Sequence, residues 1–269
     1  MKKILFSLVF FITSLLSNEL QEAIDNASEG SIITLSKGEY HGNIVINKAL
    51  VIDGIDKKAK IIGDGKGSVI SIKKSNVVIK NLSIENSGFS VEKIDSAIHA
   101  KEVNNITIEN NHISDSLFGI NFEQVNRSKI VDNFITSKDL ELGIRGDGIR
   151  LWNSHDNQLF ANRLYKSRDF VLWYSSGNNI ENNYGSYNRY SLHFMYAGRN
   201  MVRNNFFEYN SVGIFFMYSS GTIAIGNTVK NSLGAFGVGI GMKDSSDFTL
   251  LENNLIYNPR GLYLDQSPY

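Results

Sequence analysis

An asparagine recurs at a nearly constant interval through the second half of the chain, and this period constrains the fold more than any other feature. The recurring residues are Asn111, Asn133, Asn162, Asn183, Asn205, Asn227 and Asn254, and four of the six spacings are 21 or 22 residues. A period of about 22 residues is typical of solenoids, in which each repeat packs only against its neighbours. The longer intervals, residues 81–111, 133–162 and 227–254, predict insertions near residues 89–95, 137–147 and 233–236.

A short extended run precedes these asparagines at a constant distance, except that the last interval is longer by a single position. The runs begin at Ile120, Ile149, Phe170, Leu192, Ile214 and Ile240, and a further one begins at Leu262. Their first and third residues are nearly always apolar, which indicates strands with one buried face. About 22 residues cannot hold a helix with its connections, but they accommodate three short strands. The sequence therefore predicts an all-β fold, a right-handed parallel β-helix.

The composition agrees with stacked coils. Among the 269 residues there are 31 isoleucines, 31 asparagines and only two prolines. Isoleucine fills the interior, asparagine suits turns that stack as hydrogen-bonded ladders, and proline would remove donors between coils. The absence of cysteine excludes disulfides, zinc fingers and thiol nucleophiles, and the formal net charge of zero argues against a nucleic-acid partner.

Residues 1–17 have the pattern of an export signal. Lys2 and Lys3 precede an apolar run over residues 4–16, which is shorter than the ~20 residues of a membrane span. We expect cleavage after Ser17, with an uncleaved signal-anchor as the alternative. Residues 18–269 are then expected to form one exported β-helix domain without a transmembrane segment.

The two ends of the solenoid are expected to differ. Leu20, Ala23, Ile24 and Ala27 have helical spacing, so a short N-terminal helix is expected to cover the first coil, whose edge would otherwise be exposed. We expect no matching cap at the C-terminal end.

Alignment of the runs predicts which side chains share the outer face of one sheet. The second positions are Asn121, Arg150, Val171, His193, Phe215, Gly241 and Tyr263, and the fourth positions are Glu123, Trp152, Trp173, Met195, Met217, Lys243 and Asp265. Equivalent positions in a parallel sheet stack at about 5 Å. The alignment therefore predicts an outward stripe of aromatic, methionine and histidine side chains, and such patches are often binding sites.

Three interpretations of this stripe are open. Thioether sulfur prefers Cu(I) and imidazole also binds copper, so His193, Met195 and Met217 are candidate ligands. Met242 joins them only if an extra residue in its coil shifts the register by one. In the second interpretation the aromatic residues form a platform for a sugar. In the third, a loop or a further segment of chain covers the stripe.

Aromatic residues beside the candidate ligands are expected to shield a metal or to contact a partner. They are Trp152, Trp173, Tyr196, Phe215 and Tyr218, and Tyr174, Tyr196 and Tyr218 are expected to form a column directly after the methionines.

Charged residues precede successive copies of the same strand. The residues are Arg145, Asp147, Arg150, Arg168, Asp169 and Arg189, and we expect them to form an ion-pair column with a structural rather than a catalytic role. We expect no close pair of carboxylates, and this disfavours cleavage of carbohydrates, which needs such a pair or calcium. No enzymatic activity is therefore expected.

Several segments of the chain resemble the NosD family. They are residues 146–152 (GDGIRLW), 168–175 (RDFVLWYS), 189–196 (RYSLHFMY), 212–219 (VGIFFMYS) and 237–244 (GVGIGMKD). The resemblance runs from the predicted cap near Leu20 to Tyr269, and the copies LHFMY and FFMYS are its most specific parts. Members of the family usually continue well beyond the position where this sequence stops.

The resemblance implies a periplasmic accessory protein that binds copper transiently while the copper centres of nitrous oxide reductase are assembled. The thioether ligands predict that this copper is Cu(I). It implies three partners, namely an ABC transporter with permease and ATPase subunits, a copper chaperone lipoprotein and the reductase itself. Two alternatives remain, a carbohydrate-binding or carbohydrate-modifying β-helix protein and a metal-free docking scaffold.

Overall fold

The protein forms a parallel β-helix, as seen in a computed structural model that describes residues 9–12 and 19–267. These residues contain 31 strands, numbered β1 to β31 in chain order, and the helix α1 (Glu19–Asn26). From β2 onward the chain visits three sheets in turn, and each strand pairs in parallel with the strand three places later. The predicted all-β solenoid is confirmed.

The strands of the three sheets have the following bounds. Sheet I contains β1 (Val9–Ile12), β2 (Ile32–Leu35), β5 (Val51–Asp53), β8 (Val78–Lys80), β11 (Thr107–Glu109), β14 (Lys129–Val131), β17 (Gln158–Phe160), β20 (Asn179–Glu181), β23 (Met201–Arg203), β26 (Ile223–Ile225) and β29 (Thr249–Leu251). Sheet II contains β3 (Gly38–His41), β6 (Ala59–Ile62), β9 (Leu82–Glu85), β12 (His112–Ser116), β15 (Phe134–Ser137), β18 (Arg163–Tyr165), β21 (Tyr184–Ser186), β24 (Phe206–Glu208), β27 (Thr228–Lys230) and β30 (Asn254–Ile256). Sheet III contains β4 (Ile44–Ile46), β7 (Ile70–Ile72), β10 (Ser96–Lys101), β13 (Phe118–Glu123), β16 (Ile149–Trp152), β19 (Asp169–Trp173), β22 (Tyr190–Met195), β25 (Val212–Met217), β28 (Val238–Lys243) and β31 (Arg260–Asp265).

A column of asparagines stacks at the corner between sheets I and II. Asn183 is 1% exposed. Its Oδ1 accepts from the backbone N–H of Asn162 at 2.9 Å and from Asn162 Nδ2 at 3.0 Å, and its Nδ2 donates to Asn205 Oδ1 at 3.0 Å. Its Nδ2 also donates to the backbone oxygen of Leu159 at 2.9 Å. We call this column the asparagine ladder; its members are Asn111, Asn133, Asn162, Asn183, Asn205, Asn227 and Asn253. The predicted side-chain ladder is confirmed.

The last member of the ladder is Asn253 and not Asn254, which the sequence alignment selected. Asn227 Nδ2 donates to Asn253 Oδ1 at 2.9 Å, whereas Asn254 is the first residue of β30 and pairs with Thr228. The interval from Ile240 to the ladder therefore equals the interval in the preceding coils. The extra residue that the alignment placed in this coil does not exist.

Helix α1 covers the first coil, as predicted. Leu20, Ile24 and Ala27 are at most 5% exposed and join the core. The Gln21 amide also bonds the edge of sheet III, accepting from Val45 N at 2.7 Å and donating to Val45 O at 3.1 Å. The helix therefore satisfies backbone groups that the first strand of a sheet leaves open.

The predicted export signal lies largely outside the described residues and stays a prediction. Of its residues the structure describes β1, which pairs in parallel with β2 at the edge of sheet I. Within the described parts of the chain, no helix is both long and apolar enough to cross a membrane.

All three predicted insertions fall at the same corner of the coil. They lie between a strand of sheet II and the next strand of sheet III, after β9, β15 and β27, and the second contains a 3-10 helix (Leu142–Ile144). Insertions at one corner form a wall beside one face of a solenoid. The third insertion reaches the outer face of sheet III, where the candidate ligands lie, because the Phe236 ring is 6.3 Å from that of Phe215.

Candidate metal site

The outer face of sheet III has the register that the sequence predicts. Val171, His193 and Phe215 pair with one another on adjacent strands and form the column of second positions, which we call the second column. Trp152, Trp173, Met195 and Met217 pair in the same way and form the column of fourth positions, which we call the fourth column. The parallel pairing therefore places the candidate ligands and aromatic residues of neighbouring strands about 5 Å apart, although they are about 22 residues apart in the sequence.

The second column is not an exposed stripe, and that part of the sequence interpretation is wrong. Val171, His193 and Phe215 are 4%, 7% and 5% exposed. Phe236 of the third insertion lies 6.3 Å from the Phe215 ring, and Tyr190 stacks on the His193 imidazole at 4.4 Å with 15° between the planes. The interpretation that a loop covers the stripe is confirmed for Phe215, which Phe236 of the insertion contacts. His193 is covered by Tyr190, a residue of its own strand.

His193 lies between a sulfur atom and a carboxylate. Its Nε2 is 3.3 Å from Met217 Sδ, and its Nδ1 is 3.4 Å from Asp169 Oδ2. In the tautomer that donates from Nδ1 to the carboxylate, Nε2 keeps its lone pair and faces the thioether. Metal-binding histidines are commonly oriented by a carboxylate in this way.

Asp169 is held in place by Arg189 and by an irregularity in the sheet. Arg189 Nε donates to Asp169 Oδ1 at 2.9 Å, and its second nitrogen bonds the other carboxylate oxygen. Between β19 and β22 the register shifts, so that two steps on β19, from Asp169 to Val171, match three on β22, from Tyr190 to His193. The sequence predicts the ion pair of Asp169 and Arg189 but not the link to His193, because that link depends on the extra residue in β22.

The other two candidate methionines occupy different environments. Met195 is half-buried and pairs with Met217 on the outer face of sheet III. Met242 is 5% exposed and belongs to the core inside the coil, where it pairs with Phe216. Its assignment as a ligand is wrong, because no extra residue shifts the register of its coil.

The predicted shielding residues form three groups. Phe215 is buried over Gly241, where a Cβ would come within 2.3 Å of the Phe215 ring. Trp152 and Trp173 are half-buried and pack at 5.1 Å between ring centroids. The remaining group, which we call the tyrosine column, consists of Tyr174, Tyr196 and Tyr218, with rings stacked at 5.2 and 4.8 Å and 38% to 47% exposed.

The carboxyl groups of Asp147 and Asp169 influence each other electrostatically at this site. Burial, reinforced by the Asp169 carboxylate, raises the pKa of Asp147 to about 7. The pKa of Asp169 is lowered, because hydrogen bonds from His193 and Arg189 outweigh the opposing effect of burial. The site therefore holds one carboxyl group that is protonated up to neutral pH beside one that is ionised.

The donor set suits a soft cation. Two ligands about 2.0 to 2.3 Å from one ion are separated by roughly the 3.3 Å observed between His193 Nε2 and Met217 Sδ. Nitrogen and thioether sulfur together favour Cu(I). No group of three His, Asp or Glu residues is arranged to hold a metal ion in the part of the chain that the structure describes.

The fold and this site define a parallel β-helix protein with a nitrogen and thioether site on the outer face of one sheet. Residues 135–269, half of the chain, match the family described as periplasmic copper-binding protein (NosD), and residues 68–197 match the right-handed β-helix region. The chain therefore belongs to the NosD family, and the predicted resemblance is confirmed. The members of this family are periplasmic accessory proteins.

Other similar proteins share shorter or more distant matches. A cell surface glycoprotein of Methanothermus fervidus is 32% identical over 106 residues, which are 39% of this chain and 17% of that protein. The chain thus spans less than a fifth of the length of this relative.

Solved structures share the fold at low identity. An alginate lyase from Paenibacillus sp. superposes with a TM-score of 0.70 at 16% identity, covering 96% of this chain and 99% of the lyase. A family 28 exopolygalacturonase from Yersinia enterocolitica superposes with a TM-score of 0.66 at 12% identity, covering 93% of this chain and 75% of that enzyme. These likenesses concern the β-helix alone.

Proposed function

We propose that this protein binds Cu(I) transiently between His193 and Met217 and hands it on during assembly of the copper centres of nitrous oxide reductase. The observation that carries the proposal is the convergence of Nε2 and Sδ at 3.3 Å, with Asp169 on the opposite ring nitrogen. Met195 pairs with Met217 across the strands and supplies a third soft donor. Few and weak ligands suit a protein that must release its ion.

The surroundings of the site support a role in holding Cu(I) rather than Cu(II). Tyr190 and Phe215 cover His193, so the ion would lie away from bulk water. Trp173, the ladder neighbour of Met195, borders the same column and would contribute to this shield. A dry site of thioether and imidazole favours the singly charged ion, because the desolvation cost of a divalent ion is larger.

Competition titration against a chromophoric Cu(I) chelator under reducing conditions tests this proposal. The double variant Met195→Ala, Met217→Ala is expected to lose affinity by about 100-fold, since two of three donors are removed. Met201→Ala is the matched control, because Met201 lies on sheet I, where its sulfur contacts Arg203. Unchanged affinity in the double variant would refute the site.

The partners follow from the same proposal. We expect the protein to contact an ABC transporter of permease and ATPase subunits, a copper chaperone lipoprotein and nitrous oxide reductase. Pull-down of transporter subunits with the wild type and with a variant lacking His193, Met195 and Met217 tests what the site contributes. Capture by both proteins, together with no measurable copper binding, would favour a metal-free scaffold.

The pair of interacting carboxyl groups supports a second candidate, a carbohydrate-modifying activity. A protonated carboxyl beside an ionised one is the arrangement that glycosidases use for acid and base roles. Incubation with alginate and polygalacturonate, with Asp147→Asn as the control, tests this candidate. We expect no release of reducing ends; a release that Asp147→Asn abolishes would replace the copper proposal.

A further inference from the structure

The outer face of sheet II carries a groove on a different side of the solenoid from the metal site. Its cavity volume is about 490 Å³, and its walls come from β15, β18 and β21, which belong to successive coils. The lining residues are Phe134, Arg163, Tyr165, Tyr184, Ser186 and Tyr187. A groove that crosses successive coils runs along the solenoid axis and suits an extended ligand.

The register of sheet II explains why a groove forms here. Tyr165, Ser186 and Glu208 are ladder neighbours, so the small Ser186 lies between two larger side chains. Ser186 is 2% exposed and forms the floor. Tyr165 and Tyr187 pack edge to face at 5.6 Å, and Tyr184 stacks on Phe206 at 5.9 Å. The aromatic walls are therefore fixed by contacts with one another and do not have to be ordered by a ligand.

Cations line the groove and the hollow next to it. The Arg163 guanidinium lies 5.7 Å from the Tyr184 ring centroid, and Lys166 Nζ lies 5.4 Å from that of Tyr165. A second cavity of about 190 Å³ shares Tyr165 with the groove and is lined by Lys138, Arg145 and Lys166 against the single carboxylate of Asp139. Lys138 is paired with Asp115, which leaves Arg145, Arg163 and Lys166 as the cations available to a ligand.

We propose that this groove binds an acidic oligosaccharide. Flat sugar faces pack on tyrosine rings, hydroxyl groups find the Tyr184 hydroxyl and Glu208, which bond each other at 2.8 Å, and sugar carboxylates pair with the cations. A peptide strand has no place here, because β18 and β21 are hydrogen-bonded on both sides and offer no free edge. This ligand class is independent of copper and of the face that binds it.

Affinity electrophoresis in native gels containing polygalacturonate, with a chelator to exclude metal, tests the proposal. The wild type is expected to be retarded by polygalacturonate and not by neutral dextran at ~150 mM salt, where weak surface attraction is largely screened. Arg163→Ala is expected to weaken binding by about tenfold through loss of a charge-assisted bond. Tyr187→Ala is expected to weaken it by a similar factor, and Tyr187 is 49% exposed, so this variant should stay folded.

A matched pair of substitutions on sheet I serves as the control. Lys129 and Phe160 line another outer-face cavity, so Lys129→Ala and Phe160→Ala remove the same kinds of side chain from a different sheet. Both should bind polygalacturonate like the wild type. The proposal is overturned if the wild type is not retarded or if the control pair weakens binding equally. It is also overturned if Arg163→Ala loses binding and Tyr187→Ala does not, because that result would indicate ion exchange only. None of these outcomes bears on Cu(I) affinity.

Discussion

The asparagine ladder and the cluster around His193 are two buried polar arrangements in one solenoid, and they are built by opposite means. In the ladder, identical side chains repeat with the coil, so each amide meets the same amide one coil later. In the cluster, unlike groups from β19, β22 and β25 meet across a register shift. Repetition satisfies polar groups automatically, whereas a departure from it brings carboxylate, imidazole and thioether together.

The largest expected effect concerns the ladder. Asn183→Leu removes the donations of Asn183 Nδ2 to Leu159 O, Glu181 O and Asn205 Oδ1. It also leaves the Asn162 backbone N–H without its acceptor and Asn162 Nδ2 with Ile130 O alone. We expect a loss of about 3 to 5 kcal/mol in the free energy of unfolding, because several buried polar groups lose their partners at once. Chemical unfolding followed by circular dichroism measures it.

Asn182 provides the control for this prediction. It precedes Asn183 but is exposed, with a backbone φ of 56°. Asn182→Gly should change the free energy of unfolding by less than about 1 kcal/mol, since glycine adopts this conformation freely. If the two substitutions were equally destabilising, the ladder would hold no special place in the stability of the coils.

The second prediction concerns the carboxylate in the cluster. Asp169→Asn should weaken Cu(I) binding by about 10- to 100-fold, because His193 loses the charged acceptor that orients its ring. Competition titration measures the affinity. Asp147→Asn is the matched control and should leave the affinity within about threefold, because an amide resembles the protonated carboxyl that burial maintains there. Equal losses in both variants would mean that only the net charge of the site matters.

The period explains how much of this comparison the sequence predicts. Asn183, Asn205 and Asn227 recur in one context, so the coil, the ladder and the outward columns with Met195 and Met217 follow from spacing alone. The burial of His193 does not, because it depends on where the ring of Tyr190 lies after the register shift. The shift appears in the sequence only as one added position, since Val171 follows Arg168 by three positions and His193 follows Arg189 by four. Spacing alone does not say which neighbouring ring then covers the histidine.

One misassigned asparagine shows how sensitive such predictions are. The choice of Asn254 in place of Asn253 created an apparent extra residue, and that residue was the only reason to turn Met242 outward. Because side chains alternate between the faces of a strand, an error of one residue exchanges core and surface.

The third prediction concerns pH, and it separates the two carboxyl groups of the cluster. The pKa of Asp147 is raised to about 7 in the folded protein, above the value of ~3.9 in an unfolded chain. Between about pH 4 and pH 7 the folded state holds a proton that the unfolded state has lost, so this group's contribution to stability falls as the pH rises. Asp147→Asn should remove a slope of up to about 1.4 kcal/mol per pH unit in that window.

Asp169 has the opposite sign and a different window. The pKa of Asp169 is lower in the folded protein than in an unfolded chain. Its contribution to stability is therefore lost as the pH falls from the pKa of an unfolded aspartate towards the lower pKa of the folded state. Chemical unfolding at several pH values between 4 and 8, for the wild type and Asp147→Asn, measures the difference. A slope that survives the substitution would assign the proton to another group.

The smallest expected effect concerns the tyrosine column, which repeats like the ladder but lies in solvent. Tyr196 stacks on Tyr174 and Tyr218 with interplanar angles of 11° and 12°, is 47% exposed, and has a φ of 50°. Tyr196→Asn keeps a residue that tolerates this backbone conformation and removes only the ring, so we expect a loss of about 1 kcal/mol, the value of an aromatic contact. Chemical unfolding measures this loss, and Cu(I) titration of the same variant checks whether Tyr196 also shields the ion. A loss as large as that of Asn183→Leu would show that repetition itself, and not the burial of repeated polar groups, stabilises the coils.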